Sequence, residues 1–166
     1  MGGVPNPVVE ATLCYLERDG KLLMLRRDKR PDDLHHGKCN GLGGKLEPGE
    51  SPLDCARREI LEECGLVAGR LRFAGHITFP RFDGARDWSV FLFHGTEVCA
   101  GDPVDPPEGH LLWVERDRVL DLPLWEGDRH FLPWLLEGRR FLARFDYEGG
   151  TYQGHEVCFL EGEAGS

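Results

Sequence analysis

Apolar residues fall along the chain in short β-rich runs broken by glycine and proline turns, with two stretches of helical spacing. Residues 8–17, VVEATLCYLE, are rich in β-formers. KLLMLRR follows the turn signal RDG at 18–20, so the pair reads as a hairpin. Residues 28–44 are loop-like and end dense in glycine. A helix is predicted from Pro52 to Cys64: Ser51 suits the N-cap, Pro52 the first helical position, Asp54 completes a capping pattern, and Gly65 stops the helix. Further strands are predicted at 70–79, 88–94 and 110–115, a second helix at 127–137, and a closing hairpin from 140–147 and 151–160 around EGG. Strands mixed with two helices give an α/β or α+β class.

At 166 residues and 40% hydrophobic, the chain is long enough to bury one real core. We expect one domain over 1–166, flexible at 1–7 and 162–166. No apolar run reaches the roughly 18 residues of a membrane span. MGGVPNPVVE has no basic region leading into an apolar stretch, so no export signal is expected. The six cysteines form no CxxC pair and read as reduced thiols, which makes the expected address cytoplasmic. A net charge of −9 argues against a nucleic-acid polymer as partner. It leaves room for a small anionic substrate whose charge is carried by a metal ion. Nothing in the pattern fixes an oligomeric state.

The helix at 52–64 carries the chemistry. Leu53, Ala56, Ile60 and Cys64 share one stripe, and Glu59, Glu62 and Glu63 form the next. A solvated face is one reading, with Arg58 supporting Glu62 at i,i+4. Glu59 and Glu63 repel at the same spacing, however, and three convergent carboxylates suit a hard divalent cation that keeps waters for a phosphate substrate. Charge pattern alone leaves the two readings balanced.

The longer spacing separates them. Gly44, Glu50, Arg58, Glu59, Ile60, Glu62, Glu63, Gly65 and Leu66 fit G-x5-E-x7-R-E-U-x-E-E-x-G-U, where U is aliphatic, at every specified position. Each fixed residue type is matched by chance about one time in fifteen. This stretch resembles the Nudix box, which implies an α/β/α sandwich with a mixed β-sheet and hydrolysis of a nucleoside diphosphate linked to another group. The resemblance further implies that Glu59, Glu62 and Glu63 hold Mg²⁺ (or Mn²⁺) with the carbonyl of Gly43. Glu50 would brace the site, Arg58 would orient the glutamates, and one glutamate of the cluster or Glu108 would take the proton from the attacking water.

Outside the box, CNGLGGKLEPGE before the helix and PLWEGDRHFLPWLLEGRRFLARFDYEGG after it look like the Nudix enzymes that hydrolyse oxidised purine nucleoside triphosphates such as 8-oxo-dGTP. Carried over by position, Asn40 and Asp128 would read the base, Trp125 would stack on it, Phe79 would line the pocket, and Thr12 and Arg26 would border base and phosphates. Glu108 would supply a further acid near the metal. Two positions depart from that pattern: Cys39 stands where those enzymes have Trp, and Glu126–Gly127–Asp128 offers one matching acid in place of a pair. Taken alone, Trp125 and Phe79 read as core aromatics, Asn40 as a turn residue, and Glu108 as a loop acid. His35 and His36, adjacent and without Cys partners, read as surface. The alternatives are a Nudix hydrolase of another nucleotide (ADP-ribose, a dinucleoside polyphosphate, a nucleoside diphosphate) or a non-catalytic nucleotide sensor.

Overall fold

The computed structural model describes residues 3–160, so the ends expected to be flexible lie partly outside the described residues. Within 3–7, Asn6 and Pro7 are tied to Asp87 through a side-chain and a backbone hydrogen bond. The strands are β1 Val8–Arg18, β2 Lys21–Arg26, β3 Cys39–Asn40, β4 Leu71–Phe79, β5 Asp87–Gly95, β6 His110–Glu115, β7 Arg140–Glu148 and β8 Thr151–Leu160. The helices are α1 Pro52–Cys64 and α2 Asp128–Leu136, with a 3₁₀ segment at Arg116–Asp121. Sheet order is β3-β2-β1-β5-β4-β7-β8, with β6 paired to β2. The β1–β5 and β4–β7 pairs are parallel and the others antiparallel, so the sheet is mixed.

Alternation along the central strands builds two cores on opposite faces. Cys14, Leu16, Leu23 and Leu25 pack with Ala56, Ile60 and Cys64 of α1. Tyr15, Leu22 and Met24 pack with Phe131, Leu132 and Leu135 of α2. The sheet is therefore sandwiched between the two helices, the α/β/α arrangement that the sequence implied. Helix α1 has the ends read from its caps: the amide of Asp54 donates to Ser51 Oγ at 3.1 Å, and Gly65 takes the left-handed conformation at φ 76°. Its buried stripe is shifted: Leu53 is 40% exposed, while Cys55 is fully buried facing Thr12 and Gly44. All six cysteines are free. Among the described residues no helix is long and apolar enough to cross a membrane.

The expected opening hairpin forms only at its turn. Asp19 and Gly20 both adopt positive φ, the geometry of a two-residue hairpin loop, and only Glu17–Leu22 and Arg18–Lys21 pair across it. Beyond that point β1 runs beside β5 and β2 beside β6. Residues 41–45 fill the wedge that opens between them. The amides of Thr12 and Cys14 donate to the carbonyls of Gly44 and Leu42, and Leu42 N–H returns to Cys14 O. A Cβ on Gly43 would stand 1.9 Å from the carbonyl oxygen of Thr12, so only glycine fits that approach. Gly49 has positive φ but open space around it. Gly43→Ala is expected to cost more than about 2 kcal/mol and Gly49→Ala about 1 kcal/mol, compared by urea unfolding.

Candidate active site

The glycine wedge lays the peptide of residues 43–44 against the acidic face of α1. Gly43 N–H donates to Glu63 Oε2 at 3.1 Å, and a Cβ on Gly44 would lie 2.4 Å from the Glu59 carboxylate. Backbone and acids are thus in contact before any substrate enters.

Arg58 organises the same face. Its Nε and Nη2 hold both oxygens of Glu50 at 2.7 and 2.8 Å, a bidentate pair. Nη1 donates to Glu59 at 2.8 Å and Glu62 at 3.1 Å, and Nη2 reaches the carbonyl of Lys45 at 3.1 Å. The guanidinium holds Glu50 down at about 2, so that carboxylate stays ionised and keeps its grip. Arg58 therefore ties the loop, the brace and two of the three helix glutamates into one unit.

Of this unit Gly43, Gly44, Lys45 and Glu59 line one cavity of about 410 Å³, and Glu59, Glu63 and Glu108 form its acidic end. Burial pushes the Glu63 carboxyl up to about 8, reinforced by the charges of Glu59 and Glu108, while the Gly43 amide opposes the rise. Burial also raises Glu59, against the pull of Arg58. One oxygen of Glu108, Oε2, is buried without a hydrogen-bond partner; the other lies 3.8 Å from Arg30. Glu62 is placed differently: its side chain is 58% exposed, rests on Arg58 and does not line the cavity. Among the described residues no three His, Cys, Asp or Glu side chains close into a ready-made ligand group. The donor set nonetheless fits a hard cation: the half-buried side chains and the Gly43 carbonyl offer oxygen, among the described residues Glu63 forms no ion pair and Glu108 only a long one to Arg30 at 3.8 Å, and Mg²⁺ needs only one or two carboxylates because it keeps its waters.

The other end of the cavity is aromatic. Asn40, Asp128, Trp125 and Phe79 line the cavity with Thr12, which lies beside the glycine wedge, so the structure brings together five residues scattered over more than a hundred positions. Asn40 Oδ1 is buried and unpartnered. Asp128, 7% exposed, has its carboxyl pushed up to about 8 by burial, with only the charges of Lys38 and Arg129 pulling it down. Tyr147 Oη accepts the Gly127 N–H at 2.7 Å and so pins the segment that carries Trp125 and Asp128. Lys38 Nζ lies 5.4 Å from the centre of the Trp125 ring.

Some placements differ from the sequence reading. Arg26 is exposed, close to Asp28 at 3.9 Å, and off the cavity wall; its neighbour Arg27 lines the cavity, held by Asp33 at 2.6 Å. In a strand, adjacent residues face opposite sides, so a shift of one position exchanges them. His35 is not a free surface residue. It lines the cavity, accepts the Trp125 indole N–H at 2.8 Å, and stacks on Phe82. Phe82 and Tyr147 were not anticipated on the wall at all. Aromatic residues flanking a strand–turn–strand, RFDGARDW after Phe79, were the only signal for Phe82.

An acidic end facing an aromatic end with two polar readers suits a molecule with phosphates at one end and a base at the other. A model of the NUDIX domain matches residues 7–135. The oxidized purine nucleoside triphosphate hydrolase of Danio rerio is 34% identical over 146 residues, covering 88% of this chain and 88% of that protein. The CTP pyrophosphohydrolase of Escherichia coli is 31% identical over 124 residues, covering 73% of this chain and 86% of its own. The crystal structure of the mutator MutT protein from Bacillus halodurans superimposes with a TM-score of 0.79 at 28% identity, covering 90% and 97% of the two chains.

Asp128 has a thermodynamic signature that can be measured without any ligand. Its carboxyl titrates near 8 in the fold and near 4 in an unfolded chain. Between those values the folded protein holds the extra proton, so this group's contribution to stability falls as pH rises from about 4 to about 8. Asp128→Asn removes that contribution. Thermal unfolding from pH 5 to 8.5 is expected to show the wild-type Tm dropping ~3 °C or more further than the variant's; parallel curves would show that Asp128 is not buried as a neutral acid.

Proposed function

Because the chain belongs to the NUDIX family of hydrolases, we propose that it cleaves an oxidised purine nucleoside triphosphate, such as 8-oxo-dGTP, to the monophosphate and pyrophosphate with Mg²⁺ as cofactor. The observation that carries this reading is the pair at the base end. Asn40 offers a buried acceptor without a partner, and Asp128, protonated at neutral pH, offers an O–H donor in the same cavity. Together they match the mixed donor and acceptor edge of a purine. Trp125 and Phe79 supply ring surfaces for stacking, which any base can use, so they govern affinity more than choice. The similarity to an oxidized purine nucleoside triphosphate hydrolase supports the same substrate class.

At the phosphate end, Glu59, Glu63 and the carbonyl of Gly43 would hold the metal with Glu108 as a further acid; Glu62, exposed on Arg58 outside the cavity, would join them only by turning its side chain inward. A bound Mg²⁺ neutralises phosphate charge and lowers the pKa of a bound water. Glu50 fixes Arg58, and Arg58 fixes Glu59 and Glu62 in position, so the acids do not reorganise when substrate arrives. We assign the proton of the attacking water to Glu63 or Glu108, the acids least reached by Arg58. Arg27 lines the cavity and meets the phosphates in the role first expected of Arg26. Thr12, buried, donates from Oγ1 to Gly44 O at 3.5 Å and lines the cavity beside the glycine wedge.

The similarity to a CTP pyrophosphohydrolase favours a second reading, a pyrimidine substrate, and the base contacts separate the two. Each unpaired buried polar group costs about 1–3 kcal/mol, so 8-oxo-dGTP should be preferred over CTP by about tenfold to a hundredfold per contact. Asp128→Ala should lose 8-oxo-dGTP hydrolysis far more than CTP hydrolysis; equal losses would favour the second reading. The kcat/KM ratio of the two nucleotides should fall as pH rises through about 8, where Asp128 loses its proton, and stay flat in Asp128→Asn, which keeps an N–H donor. Glu63→Gln should lower turnover at least about a hundredfold while the fold is retained. Near-normal turnover in that variant would remove Glu63 from the catalytic set.

A further inference from the structure

We propose that His35 is a positioning residue for base recognition: by accepting the indole N–H of Trp125 it fixes the plane on which the base stacks. The inference rests on the reading that a base stacks on Trp125, and it adds a residue outside the acidic helix and the two base readers.

Three observations carry it. First, the contact is specific. The Trp125 side chain has a single polar atom, Nε1, and it lies 2.8 Å from His35 Nδ1. Accepting there requires the neutral ring with its hydrogen on Nε2. Burial and the nearby charge of Arg27 lower the His35 pKa to about 4, which keeps the ring neutral across the physiological range. Second, the rest of the indole is held by ring edges and by Lys38 Nζ, 5.4 Å from its centre, none of which directs its N–H. His35, Phe82 and Tyr147 meet it at interplanar angles of 85°, 69° and 86°, with ring centres 5.6, 5.1 and 5.6 Å away. Edge contacts of this kind resist tilting weakly, whereas a directed hydrogen bond sets the in-plane orientation.

Third, His35 is itself held rigidly although it sits in a loop. Its backbone N–H donates to Asp33 Oδ1 at 3.0 Å, and the other Asp33 oxygen takes Arg27 Nε at 2.6 Å. The loop closes on itself through Arg27 N–H to Lys38 O and Gly37 N–H to Arg27 O, and its far side is tied to Glu108 by Lys29 N–H. The imidazole stacks on Phe82 at 17° with ring centres 5.9 Å apart. The loop of residues 27–38 is thereby a strut from the acidic end of the cavity to the stacking tryptophan. A pre-set indole spares the ordering cost that a mobile ring would incur on binding.

A double-mutant cycle tests this, using His35→Ala, Trp125→Phe and the pair. Phe keeps a stacking ring and lacks the N–H. His35→Ala alone should raise KM for the preferred nucleotide about threefold to tenfold, with a smaller change in kcat. In the Trp125→Phe background the same change should move KM by less than about twofold, because the hydrogen bond is already gone. Affinity for the nucleoside monophosphate product, measured by calorimetric titration, should follow the same pattern without turnover. Equal KM losses in both backgrounds would reduce His35 to a loop stabiliser and overturn the proposal, as would an unaffected KM in His35→Ala. Should the enzyme prefer a nucleotide other than an oxidised purine triphosphate, the cycle run on that nucleotide still decides the role of His35.

Discussion

The glycine wedge between β1 and β2 is the constraint on which the site depends. The two strands part after a two-residue turn, and a sheet opened this way must satisfy the freed amides and carbonyls of β1. Residues 41–45 do so, and their approach is too close for any side chain at Gly43. Two consequences follow from one packing event. The loop presses its backbone onto Glu59 and Glu63, and it presents Asn40, at its head, to the opposite end of the same cavity. The acidic end of the cavity and its Asn40 side are thus set by neighbouring residues of one short segment.

Electrostatics divides the cavity in a complementary way. On the outer side Arg58 chelates Glu50, and Glu62 rests on the same guanidinium in solvent. On the inner side Glu63 and Glu108 are half-buried with little cationic help, one Glu108 oxygen being buried without a partner, and across the cavity Asp128 is buried. Burying such groups without partners is costly to the fold. That cost is characteristic of a surface shaped for a ligand, since a cation at one end and a hydrogen-bonding edge at the other would relieve it.

Much of this was legible in the sequence where the determinants are local. The ends of α1 followed from Ser51, Pro52 and Gly65, because capping is settled within a turn of the chain. The strands at 110–115 and 151–160 followed from composition and turn signals. The acidic stripe followed from spacing and matched a family pattern. What escaped was long-range. The β1–β2 pair read as a hairpin, because nothing in either strand announces that residues 41–45, further along the chain, will separate them. Arg26 and Arg27 were exchanged, since which of two adjacent arginines faces inward depends on strand register. His35 read as surface because its partner, Trp125, lies 90 positions along the chain. The depth of Asp128, hence its protonation, is a property of packing that no window of sequence contains.

The central claim is that one cavity joins a metal-dependent phosphate end to a purine-reading base end. Product analysis over a nucleotide panel, with Mg²⁺ and with EDTA, tests it most directly. The account expects 8-oxo-dGTP to be consumed fastest, to yield the monophosphate and pyrophosphate in equal amounts, and to be spared entirely in EDTA. Faster turnover of CTP, ADP-ribose or a nucleoside diphosphate than of every purine triphosphate, release of orthophosphate in place of pyrophosphate, or undiminished turnover in EDTA would contradict it.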